Sequence, residues 1–168
     1  MANKIYIAPE TTITWLNTGG DLDCDLGGLA ADVVQMGAYH DMGAASHAEQ
    51  CEIEFLIDGF DTAPVVDETV DLYLSFSNAT TNFDGNPTTD PTPTAEGTMT
   101  VAQLKNCLFV GSVVVYSTTS GDELKATFRV RIPSRYVSPV VHNNTADALL
   151  STADAHSIKL TKIPPEVQ

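Results

Sequence analysis

The sequence predicts an all-β fold, an antiparallel β-sandwich of jelly-roll type with long loops and little helix. Three observations carry this expectation. Several segments alternate apolar and polar residues with a period of two, which gives a strand one dry face and one wet face. Clusters of Gly, Pro, Asn, Asp and Ser stand between these segments and supply turn chemistry. Helical spacing is confined to two short stretches, residues 28–36 and 100–106.

Taken in order, residues 11–15 are short and β-branched. Residues 22–26 alternate, with Asp21, Asp23 and Asp25 opposite Leu22, Cys24 and Leu26. Residues 28–36 offer a helical turn or two, bracketed by Gly27, Gly28 and Gly37. Residues 51–58 point Cys51, Ile53, Phe55 and Ile57 inward and Glu52, Glu54 and Asp58 outward. After a lead-in containing Pro64, residues 70–76 set Val70, Leu72, Leu74 and Phe76 against Asp71, Tyr73 and Ser75. Four such inward side chains contribute about 6–12 kcal/mol before chain entropy is set against them.

A short helical turn at 100–106 precedes residues 108–116, whose continuous apolar run predicts a strand buried on both faces. Residues 125–132 alternate again, with Ala126, Phe128, Val130 and Ile132 against Lys125, Thr127, Arg129 and Arg131. Residues 136–141 and 157–163 complete the set. Between the strands, residues 78–98 are rich in Pro and Thr and too poor in apolar side chains to be core. A loop of that length is expected to be functional or mobile.

A chain of 168 residues suffices for one domain with a real core, so residues 1–168 are expected to form a single sandwich domain. Hydrophobic residues make up 43% and charged ones 18%, which is not a disordered composition. The net charge of −14 disfavours nucleic-acid backbones and anionic membrane surfaces. Charge is unevenly placed: residues 1–104 hold 17 acids against Lys4 alone, and residues 105–168 hold 5 acids against 7 Lys or Arg. Two arrangements fit this asymmetry. Complementary strands share one sheet, or an acidic outer face is set against a near-neutral inner one.

Cys24, Cys51 and Cys107 form no CxxC pair, and two of them fall in step with apolar strand positions. They read as small buried hydrophobes in a reducing cytoplasm, and their odd number argues against a disulfide framework. The N-terminus has no long apolar h-region, and no run approaches membrane-spanning length.

Candidate chemistry is sparse. Asp21, Asp23, Asp25 and Asp32 match part of a calcium loop, but Leu26 stands where the sharp turn needs Gly. The Asp84-Gly85-Asn86 segment reads as a plain turn. His40 and Asp41, with His47 and Glu49, lie close enough in sequence to be considered as metal ligands, whereas His142 and His156 have no partner visible in sequence. Asp67 and Glu68 are adjacent on a turn and point apart. No nucleophile elbow, phosphate loop or dinucleotide fingerprint is present, so no enzyme and no cofactor is expected. Arg129, Arg131 and Arg135 make the densest basic cluster, expected to pair with acids of a neighbouring strand or subunit. Glu52 and Glu54 are expected opposite Arg129 and Arg131; with Arg135 and Tyr136 these residues form the candidate interface.

Ordered blocks along the chain resemble a family of structural proteins of tailed bacteriophages and prophages. They are Thr14-Trp15-Leu-Asn-Thr-Gly-Gly-Asp21, Gly37-Ala-Tyr-His-Asp41-Met-Gly43-Ala, Ala63-Pro64 through Leu72-Tyr73 with the Asp-Gly-Asn-Pro loop after it, and Gln103-Leu104 to Gly111-Ser112. The C-terminal part adds Ile132-Pro133-Ser-Arg135-Tyr136-Val-Ser-Pro139-Val140-Val141-His-Asn143, then Ile158-Lys-Leu160 through Pro165-Glu-Val-Gln168. Leu74 departs from the family pattern, where Trp often follows Leu-Tyr, and so does Glu68, where Gly is usual.

The resemblance implies a virion component on the capsid exterior, made in the host cytoplasm. It implies a decoration (cement) protein whose partner is the major capsid protein, assembled most simply as a trimer. Two other readings stay open: a tail, neck or fibre-base protein, and a carbohydrate- or host-binding β-sandwich whose loop at 78–98 carries the site.

Overall fold

The computed structural model describes residues 11–44 and 49–163. The described strands are β1 (Ile13–Leu16), β2 (Leu22–Asp23), β3 (Val33–Met36), β4 (His40–Asp41), β5 (Glu49–Ile57), β6 (Thr69–Ser77), β7 (Leu108–Val114), β8 (Leu124–Ile132), β9 (Tyr136–Asn144) and β10 (Ser157–Ile163). They form two five-stranded sheets. The first runs β2-β1-β10-β5-β8, and the second β3-β9-β6-β7 with β4 also on β9. Every pairing is antiparallel except that of β1 with β2. Among the described residues helix is limited to one 3-10 segment, Val101–Asn106, so the fold is all-β and sandwich-like.

The main core lies between the sheets. Cys51, Ile53, Phe55 and Ile57 of β5 meet Val70, Leu72, Leu74 and Phe76 of β6, as their alternation requires. Trp15 closes one end, its indole Nε1 donating to the Ala38 carbonyl at 2.7 Å. The outer face of the first sheet carries polar side chains such as Glu52, Glu54, Lys125, Arg129 and Lys159.

The second sheet departs from the expected dry-and-wet pattern. Its central strands β6 and β9 are buried on both faces, including the polar Asp71, Ser75 and Ser138. What covers them includes Phe83 of residues 78–98, the segment expected to stay outside the core, together with Met99 and Leu104 that follow it. Phe83, Met99 and Leu104 pack with Val34, Met36, Tyr39, Tyr136 and Val140 in a second hydrophobic cluster. Ser75 Oγ donates to the Asp84 carbonyl at 2.7 Å, and Gly97 bridges Met36, which ties the segment down. A few well-placed apolar residues suffice because the sheet below supplies the rest of the cluster.

Three further expectations are corrected. Residues 28–36 do not form helical turns: a tight turn leads into β3, where Val34 and Met36 join the second cluster. Only Leu22 and Asp23 of residues 22–26 pair as strand, although Cys24 and Leu26 are buried and Asp21, Asp23 and Asp25 exposed as the alternation foretold. Most consequentially, β7 is not buried on both faces. It is the edge strand of the second sheet and exposes Leu108, Phe109 and Val114.

Candidate functional site

The register of three adjacent strands brings together residues that lie far apart in sequence. Asp71 of β6 stands opposite Ser112 of β7 on one side and His142 of β9 on the other. Val70 and Leu72 enter the core, so Asp71 points to the outer face, where the 3-10 segment overhangs it. Ser112 Oγ donates to Asp71 Oδ1 at 2.6 Å. His142 Nε2 lies 3.0 Å from Asp32 Oδ1, and since a carboxylate only accepts, the ring nitrogen donates. Asp32 adopts a φ of +57°, fixed by its amide donating to the Asn143 carbonyl at 2.8 Å.

Ser112, Asp71, His142 and Asp32 thus form a polar row across the sheet. It borders a cleft of about 280 Å³ lined by Asp71, Tyr73, Val101, Leu104, Lys105, His142 and Asn144. Tyr73 meets Phe109 edge-on, with ring centroids 5.2 Å apart. Burial, then the Asp71 carboxylate and Cys107, push the Tyr73 phenol above its ordinary pKa, so it stays protonated and able to donate. Asp71 and His142 are 9% and 6% exposed, which fixes them as rigid groups beneath an open cleft. Ser112 donates to a carboxylate rather than to an imidazole, so the row presents hydrogen-bonding capacity, the means of noncovalent recognition.

In the sequence Asp32 was weighed only as a calcium ligand and His142 only as a histidine without a visible partner, and Ser112, Asp71 and Tyr73 were not singled out as a site. The only signal was a polar residue, Asp71, within a strongly apolar strand, and it fits a solvated face equally well.

The sequence-predicted residues are distributed otherwise. Glu52 does stand across from Arg129, at 3.9 Å, within the same sheet. Glu54 stands across from Thr127 rather than Arg131, and its carboxylate is held by Lys125 at 2.7 Å and Lys159 at 2.9 Å. Arg131 faces Gln50. Arg135 makes two hydrogen bonds to Asp41, at 2.9 and 2.8 Å, and its guanidinium lies over the Tyr136 ring. This pairing holds the Asp41 carboxyl down at about 2.

The metal candidates are similarly occupied. Asp21 accepts from the Thr14 amide and Asp25 from the Gly27 amide. Asp25 and Asp23 also line a shallow acidic cleft with Glu96, whose carboxyl is pushed up by burial and by the two aspartates. Asp84, Gly85 and Asn86 form a turn in which Gly85 and Asn86 both take positive φ. His47 lies outside the described residues, as does the side chain of Glu49. Among the described residues no group of three or more His, Cys, Asp or Glu is arranged to hold a metal ion. Cys24 and Cys107 are free thiols, and burial pushes the Cys107 thiol up to about 11.

Two facing sheets, mostly antiparallel, define an all-β protein of β-sandwich-like build. No protein-family model matches the chain, and no curated protein matches it.

Proposed function

We propose that this chain is a bacteriophage virion structural protein, a capsid decoration (cement) protein that binds the outside of the head shell and stabilises it. The chain-long run of sequence blocks supports the virion assignment. The observation that carries the docking role is an uncharged margin. Residues 106–121 contain no charged side chain, yet the chain as a whole carries −14. Leu108, Phe109, Val114 and Tyr116 are all exposed there, between 43% and 64%. An acidic protein meets another protein with least repulsion where charge is missing, and apolar side chains on a sheet edge are contact chemistry.

The fold is read as a jelly roll. The pairs β1·β10, β3·β9, β5·β8 and β6·β7 are nested in sequence, and β10·β5 and β6·β9 complete the two sheets. Such nesting supports two interlocked Greek keys, an architecture used by viral capsid and lectin domains. The major capsid protein is the partner and a trimer the assembly, on the capsid exterior.

Particles made without the protein test the reading. They are expected to assemble but to release DNA at lower temperature, and purified virions should contain the chain in fixed proportion to the capsid protein. Unchanged heat stability would overturn the cement role. A few copies per particle would favour a neck or fibre-base component.

A further inference from the structure

We propose that the cleft on the second sheet binds a neutral polyhydroxylated ring, the chemistry of a glycan, through two adjacent hydroxyl groups. With Nε2–H committed to Asp32, Nδ1 of His142 is an acceptor whenever the ring carries a single proton. It faces Asp71 Oδ2 across 3.9 Å, too far for a direct hydrogen bond. Asp71 Oδ1 already accepts from Ser112, and among the described residues no donor meets Oδ2. Two largely buried acceptors therefore border one cleft with a gap between them. A ligand that brings two donors on neighbouring carbons satisfies both, and a vicinal diol does so.

The remaining lining fits the same ligand. Tyr73, steadied by the edge of Phe109, supplies an aromatic surface for the apolar face of a sugar ring. Lys105 and Asn144 add donors at the rim. Asp71 and Lys105 give the cleft both signs of charge, which favours a neutral hydrogen-bonding ligand over a free anion or cation. The volume of about 280 Å³ sits at the small end of ligand pockets, suited to one sugar unit of a longer glycan. The two acceptors are on the central strands β6 and β9, so little ordering is left to be done on binding.

The test uses the full chain, a glycan microarray, and backbone amide NMR titrations. The titrants are glucose, galactose, mannose, N-acetylglucosamine, cyclohexane-1,2-diol and, as the spacing control, cyclohexane-1,3-diol. The expected result is binding by at least one sugar and by the 1,2-diol over the 1,3-diol, with shifts at Asp71, Tyr73 and His142. Asp71→Asn should weaken binding about tenfold, while Thr94→Ala, exposed and outside the cleft lining, leaves it unchanged. Should D71N fail to fold, the exposed Phe109→Ala replaces it, with the same weakening expected. No binding by any probe overturns the proposal, and so does binding that survives the cleft substitutions or does not distinguish the two diols.

Discussion

The ring of Phe83 stacks on that of Tyr39, with centroids 5.6 Å apart and planes inclined by 24°. Tyr39 in turn meets Tyr136 edge-on at 5.0 Å. Phe83 belongs to the Pro- and Thr-rich segment, Tyr39 to the link between β3 and β4, and Tyr136 to β9, so the segment is packed as a layer on the second sheet. Phe83→Ala is therefore expected to cost about 3–5 kcal/mol in urea denaturation, the range for an aromatic removed from a core. Thr94→Ala, at the exposed tip of the same segment, should stay within about 0.5 kcal/mol. Equal, small effects at the two positions would mean that the segment is not packed.

The strands that face the main core were legible because each carries its own pattern. Cys51, Ile53, Phe55 and Ile57 alternate without interruption, and the structure buries all four. Sequence alone does not reveal a face covered by a distant segment. Asp71, Tyr73 and Ser75 have the pattern of a wet face, and only the placement of Phe83, Met99 and Leu104 makes that face a second interior. β7 fails in the opposite sense: its apolar run reads as burial, but its position at the sheet edge decides the exposure. The cleft depends on the register of β6, β7 and β9, which no single segment encodes.

His156 makes stability depend on pH. It is 3% exposed; its Nδ1 accepts from the Asp58 amide at 3.1 Å, and Nε2–H donates to the Leu150 carbonyl at 2.9 Å. This arrangement needs the neutral ring, and burial holds the pKa below the ordinary 6.5. In the acidic range the unfolded chain binds a proton that the folded chain refuses, so stability is complete above the unfolded value and falls below it. Thermal midpoints should drop between about pH 6.5 and 5, with a shallower slope in His156→Gln. A residual slope is expected from His40, lowered by burial and by Lys162. An unchanged slope in the variant would exclude His156 as the source.

The charged face of the first sheet predicts an order of effects. Glu54 is gripped by two lysines, and its hydrogen bonds to Lys125 and then Lys159 lower its pKa. Glu52 reaches the exposed Arg129 only at 3.9 Å. Glu54→Gln should therefore destabilise more than Glu52→Gln. The Glu54 difference should be complete above the unfolded value of 4.5 and fade as pH falls through the lowered folded value. A charge-reversal cycle on Glu52 and Arg129 should give a coupling of no more than about 0.5 kcal/mol. A larger effect at Glu52 than at Glu54 would contradict the geometry.

Gly111 decides how closely the two edge strands approach. β7 carries an extra residue against β6 between Gly111 and Phe109, a bulge, and the strand lies beside β8. A β-carbon at Gly111 would overlap the ring of Phe128, which packs there against the main core. Gly111→Ala should cost about 1–3 kcal/mol, the range for overpacking. The overlap is with the far end of a half-buried side chain rather than with backbone, so the lower part of that range is expected. Phe128→Leu removes the obstructing ring edge, and the double variant should then be more stable than the two single losses added together. Strict additivity in urea denaturation would mean that the two residues do not meet, and that something other than this contact holds β7 against β8.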